Sequence, residues 1–155
     1  SGAAAARNTA SASAAALWRP ARSVRPFAQE FHFARTLGLE MVERGDGRCE
    51  MAIDIERERH FNPQGVAHGG VAYSLADSAM GGALTTLIAD DEWCATLEIK
   101  FNYHARVVEG RLTCKTEVLH RGKSVANIDA RLYQHDRLVG SANGNFAIFP
   151  APKAE

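Results

Sequence analysis

The sequence predicts an α+β domain in which one long apolar helix is wrapped by a curved antiparallel sheet of about six strands. Three observations lead there. A single run, from Gly69 to about Ala89, carries apolar residues at a helical period. Shorter segments on both sides of it alternate apolar and polar residues. The links between those segments are short, which favours antiparallel pairing.

Each element has its own signal. Phe27, Phe31, Phe33 and Leu37 space out as a short amphipathic helix ending at Gly38. A strand follows over Leu39 to Arg44, then the turn residues Gly45-Asp46-Gly47. From Arg48 to Glu56, Met51, Ile53 and Ile55 alternate with Glu50, Asp54 and Glu56, so the first two strands form a hairpin. Asn62-Pro63 and Gly65 mark 57–67 as a loop. In the helix, Val71/Ala72, Leu75/Ala76, Ala79/Met80, Ala83/Leu84 and Leu87 recur every fourth position. Gly81-Gly82 costs about 1 kcal/mol per residue against alanine, which suggests close packing on a neighbouring backbone. Four strands close the chain, over 96–107, 111–120, 124–134 and 138–149. In the first of them Leu97, Ile99, Phe101 and Tyr103 share one side. Glu109-Gly110, Arg121-Gly122-Lys123 and His135-Asp136 mark the turns.

The folded domain spans 27–150, with a tail at 151–155. Residues 1–26 are rich in Ala and Ser, carry Arg7, Arg19, Arg22 and Arg25, and contain no acid. Such a segment reads as a flexible extension, either a tag scar or a targeting-like leader, and is left out of the fold. Eighteen basic residues balance eighteen acidic ones, which gives no support for nucleic-acid binding. No apolar stretch is long enough to predict a transmembrane helix. Cys49, Cys94 and Cys114 are scattered and read as reduced packing thiols, so a cytoplasmic location is expected. The six histidines show no ligand spacing with carboxylates, so neither a metal nor a cofactor is expected, and the five besides His68 read as scattered surface or loop residues.

The chemistry concentrates in His60-Phe61-Asn62-Pro63-Gln64-Gly65-Val66-Ala67-His68-Gly69-Gly70 and the helix after it. A helix start has unpaired amides and a partial positive charge. Gly69 and Gly70 remove side chains that would keep a ligand from those amides, so a carbonyl docked there would be polarised. Asp77 is the sole charged residue between Gly69 and Ala89. A carboxylate among Leu75, Ala76, Ala79 and Met80 is costly unless it is hydrogen-bonded or partly wet. Eight residues of helix separate Gly69 from Asp77, about 12 Å. One Asp77 cannot serve a carbonyl bound at its own helix start. Two helices packed antiparallel across a two-fold axis would solve this, giving a dimer with two shared sites.

These residues resemble the hotdog-fold thioesterases of the phenylacetate-pathway (PaaI-like) type. Asn62, Gly65, His68-Gly69-Gly70, Leu75 and Asp77 carry the match, with the family's spacing of nine from His to Asp. The resemblance covers roughly 30–150. It implies hydrolysis of acyl-coenzyme A thioesters by a homodimer, or a homotetramer made of dimers. It implies Asp77 as base or nucleophile, the Gly69 amide as oxyanion donor, Asn62 as positioning the thioester or water, and His68 as shaping the loop. Thr96 stands where related enzymes place a hydroxyl near the water. Arg121-Gly122-Lys123-Ser124 is similar to a turn that holds the nucleotide end of coenzyme A. Phe61, Tyr73 and Met80 are candidates for the acyl pocket. Two alternatives stay open: a hotdog hydratase or dehydratase using His68 with Asp77, and a non-catalytic acyl-coenzyme A sensor.

Overall fold

The computed structural model describes residues 31–152. The N-terminal extension 1–26, the domain start at Phe27 and the end of the tail lie outside them. The elements are α1 (His32–Leu37), β1 (Leu39–Gly45), β2 (Arg48–Ile55), α2 (Arg57–His60), α3 (Gly69–Leu84), β3 (Glu92–Tyr103), β4 (Gly110–Arg121), β5 (Val125–Gln134) and β6 (Arg137–Pro150). One sheet has the order β1-β2-β4-β5-β6-β3, with every neighbouring pair antiparallel. Helix α3 lies against its inner face.

The small residues of α3 explain the tight wrap. Ala72, Ala76, Ala79 and Ala83 are buried, which lets the sheet curve close to the helix axis. Leu75, Met80 and Leu84 then fill the space against Met51, Ile53, Leu112, Ile128 and Phe146. Each such side chain contributes about 1.5–3 kcal/mol when fully buried. The Thr116 hydroxyl, also buried, lies 3.0 Å from the Ala79 carbonyl and 3.1 Å from that of Cys49, tying helix to sheet. A Cβ on Gly82 would come within 2.9 Å of Cys49 Sγ, so the close neighbour is a side chain rather than the expected backbone, and Gly81 faces open space.

The element bounds and one connection also need correction. The helix ends at Leu84 rather than near Ala89, because Thr85 Oγ1 and Thr86 Oγ1 donate to the carbonyls of Gly82 and Ala83 and occupy its last acceptors. The loop at 57–67 contains the short helix α2. Strand β3 begins at Glu92 and ends at Tyr103, earlier at both ends than expected. Finally, the 104–109 link does not close a hairpin: β3 pairs with β6 and forms a sheet edge, while β4 inserts between β2 and β5.

A bulge interrupts β3 between Thr96 and Glu98, which pair with Phe146 and Asn145 in turn. Leu97 is therefore an extra residue and is 59% exposed. It does not share the inner side with Ile99 and Phe101. Thr96 does, and this places Thr96 against α3.

Candidate active site

The loop before α3 is built by its own polar groups. Asn62 Oδ1 accepts from the amides of Gln64 (3.0 Å) and Val66 (3.3 Å), and the Asn62 amide donates to the Val66 carbonyl. That is an Asx turn, so one end of the Asn62 amide group is committed to the loop. His60 is buried, with only 3% of its surface exposed, and is not the surface residue expected. Its Nδ1 accepts from the Glu56 amide, its Nε2 lies 3.0 Å from the Leu37 carbonyl, and its own carbonyl accepts from the His68 amide. The ring thus pins the loop to α1 and α2.

His68 is the N-cap of α3. Its Nδ1 accepts from the Gly70 amide at 2.9 Å, which puts the ring proton on Nε2. Gly70 is closed off as an oxyanion donor by that bond. The Gly69 N–H has no hydrogen-bond partner among the described residues. Its other side is fixed: Tyr103 Oη donates to the Gly69 carbonyl at 2.9 Å, and a Cβ on Gly69 would sit 3.0 Å from that oxygen. Tyr103 stacks on Phe101 (4.3 Å between ring centres), which in turn meets Tyr73 (6.3 Å).

Asp77 lies two turns further along α3, half-buried. Thr96 Oγ1 donates to its Oδ1 at 2.6 Å, while Oδ2 has no partner among the described residues. Cys94 stands two residues before Thr96. Its thiol is pushed up, by burial first and by the Asp77 charge second, and so stays protonated. His68 and Asp77, the pair a hydratase would use, are about 13 Å apart along the helix and are not brought together within one chain.

The turn at 121–124 lies by the start of β3, at the far end from Gly69. Arg121 donates to Glu92 Oε2 at 2.8 Å and to the Gly122 carbonyl. The Glu92 carboxyl is held below its usual range by the Ala89 amide first and Arg121 next. Lys123 and Ser124 are exposed.

A cavity of about 400 Å³ opens beside Gly69, walled by Val66, Ala67, Ala72, Ala105 and Val107. Phe61, Tyr73 and Met80 do not line it. Phe61 lies under the Arg57 guanidinium (4.8 Å), and Met80 is fully buried in the core. Tyr103 and Arg106, which do line it, carried no functional signal in the sequence. Among the described residues no three His, Cys, Asp or Glu side chains gather as metal ligands, and no helix is long and apolar enough to cross a membrane.

The Thioesterase superfamily profile matches residues 64–141. ComA2 of Bacillus subtilis is 30% identical over 114 residues, covering 72% of this chain and 90% of that protein. The 1,4-dihydroxy-2-naphthoyl-CoA hydrolase of Listeria monocytogenes is 34% identical over 89 residues, 57% of this chain and 72% of that one. A conserved protein of Pseudomonas aeruginosa superposes with a TM-score of 0.73 at 35% identity, over 76% of this chain and 94% of its own. The PaaI protein of the E. coli phenylacetic acid degradation operon superposes at 0.71 over 77% of this chain and 85% of its own, and at 21% identity it speaks to the fold alone. The chain belongs to the Thioesterase superfamily and has the hotdog fold of the PaaI-type proteins.

Proposed function

We propose that the protein hydrolyses acyl-coenzyme A thioesters to free acid and coenzyme A at sites shared between two copies of the chain. The observation that carries this is the division of the reactive groups along α3. At its start the Gly69 amide is unpaired. In its middle Asp77 presents a free carboxylate oxygen beside an open sheet edge. Antiparallel approach of two β3 edges runs the Thr96 region of one copy toward the Tyr103 end of the other. That brings Asp77 to the partner's Gly69.

In this arrangement the thioester carbonyl accepts from Gly69, which stabilises the developing oxyanion. Asp77 either takes a proton from the water that attacks the carbonyl, or attacks the carbonyl itself to form a mixed anhydride that water then hydrolyses to the free acid and the restored carboxylate. Thr96 holds the carboxylate in place. The thiolate of coenzyme A leaves and is protonated. The turn at 121–124 lies at the same end as the partner's Gly69, which supports its role in holding the nucleotide end. Its Arg121 must then share its charge with Glu92.

The test is release of free thiol across an acyl-coenzyme A panel. Asp77→Asn is expected to stay folded and lose at least about two orders of magnitude in rate. Mixed dimers of Asp77→Ala chains with chains lacking the Gly69 N–H should regain about one site of two. Absence of any recovery would refute sharing. Single turnover in oxygen-18 water tests direct attack: unlabelled acid, with the label left on the Asp77 carboxyl, marks it.

A further inference from the structure

The cavity beside Gly69 has a polar side that the hydrolytic step does not use, and we propose that its Arg106 seats an anionic oxygen group, carboxylate or phosphate, carried by the thioester substrate. The inference rests on the reading of Gly69 as oxyanion donor. Gly69 lines the same cavity as Arg106, so this space adjoins a carbonyl held on the Gly69 N–H and is open to one of its two substituents. Both substituents can carry such an anion: the acyl chain at a distal carboxylate, the thiol arm at the coenzyme A phosphates.

The lining selects for negative charge. No Asp or Glu lines the cavity, whereas Arg106, His104 and His68 do. Arg106 makes no hydrogen bond or ion pair to a described residue. Arg57 and Arg111, by contrast, are paired, with Glu109 at 3.9 Å and with Glu40 at 2.7 Å. Arg121, the residue marked in the sequence for an anion, is held by Glu92. His68 adds a second donor, since its N-cap bond through Nδ1 leaves the proton on Nε2. His104 Nε2 is bonded to Ser141 Oγ at 2.8 Å, which fixes its ring against β6. A planar guanidinium over apolar walls suits bidentate pairing with carboxylate or phosphate. The volume, about 400 Å³, is that of a small-molecule pocket.

The experiment compares the wild-type protein with Arg106→Gln on butyryl-CoA, succinyl-CoA and butyryl-pantetheine, the last lacking phosphates. Arg106 is exposed, so the variant leaves the core intact, and circular dichroism checks this. If the anion is the acyl carboxylate, the kcat/KM ratio of succinyl-CoA to butyryl-CoA falls about tenfold or more in the variant. If it is a coenzyme A phosphate, the ratio of butyryl-CoA to butyryl-pantetheine falls by a similar factor, through KM. Arg106→Lys should recover part of either ratio. Calorimetric binding of the same three compounds to the Asp77→Asn protein gives both ratios without turnover. If both ratios stay constant, the proposal is overturned. Full activity of Asp77→Asn would instead overturn the catalytic reading, and the binding ratios would still report on Arg106.

Discussion

Thr96 Oγ1 donates to Asp77 Oδ1 at 2.6 Å and so joins the edge strand β3 to the middle of α3. Asp77 sits in a helix face otherwise free of charge, and this bond satisfies one of its two oxygens. The other is left to act. The Leu97 bulge lies next to the contact, so the strand bends where the hydroxyl meets the carboxylate.

Thr96→Val should remove that bond and leave the carboxylate free to rotate. We expect kcat to fall about tenfold with KM little changed, the effect of losing one hydrogen bond to a charged group. Thr96→Ser should keep most of the rate. In an Asp77→Asn background the valine should cost much less, and full additivity would refute the coupling.

Gly69 offers a cleaner separation of amide from side chain. Gly69→Ala keeps the N–H but must displace Tyr103. Gly69→Pro displaces Tyr103 and removes the N–H as well, at a first-turn position where proline is tolerated. The proline variant should be slower than the alanine variant by about two orders of magnitude, the usual cost of losing one oxyanion donor. Equal rates would mean that another group polarises the carbonyl.

His68 is expected to matter for stability through its cap. His68→Ala should lower unfolding free energy by about 1 kcal/mol in urea titrations. His68→Asn, a good N-cap, should restore most of it. A loss with alanine that asparagine does not repair would point to a role beyond the cap.

Two buried thiols give the fold a dependence on alkaline pH. Burial pushes the Cys49 thiol from 9.0 up to about 12, and that of Cys114 well above 9.0. The folded state keeps these protons where the unfolded chain releases them. Stability from this source is complete below pH 9 and falls as pH rises from 9 toward about 12. The fall approaches about 1.4 kcal/mol per pH unit for each thiol. Urea midpoints measured from pH 7 to 11 should decline less steeply for Cys49→Ala than for the wild type.

Much of this fold was legible in the sequence, because periodicity reports which face of an element is buried. The change from alternation to a fourfold spacing at Gly69 marks α3, and His135-Asp136 marks the β5–β6 turn, where both residues have positive φ. Pairing between distant strands is not written that way. Nothing local in Glu92–Tyr103 says that its partner is β6. The bulge escaped for a related reason: Leu97 reads as one more alternating apolar residue, and its displacement is set by Phe146 and Asn145 on the neighbouring strand. At the site, Gly69 and Asp77 stood out as departures from the local rules. Thr96 was drawn in by the family resemblance. His60 and Arg106 break no rule, so burial and a cavity were needed to notice them.

The rod between Gly69 and Asp77 also acts as a ruler. Each residue added to or removed from that stretch would turn the carboxylate by about 100° and shift it by about 1.5 Å. Asp77 would then swing away from Thr96, and the buried Ala79, Met80, Ala83 and Leu84 would turn out of the core with it. Length changes in this segment are therefore expected to silence and destabilise the protein together, because one rotation displaces both the reactive carboxylate and the buried face.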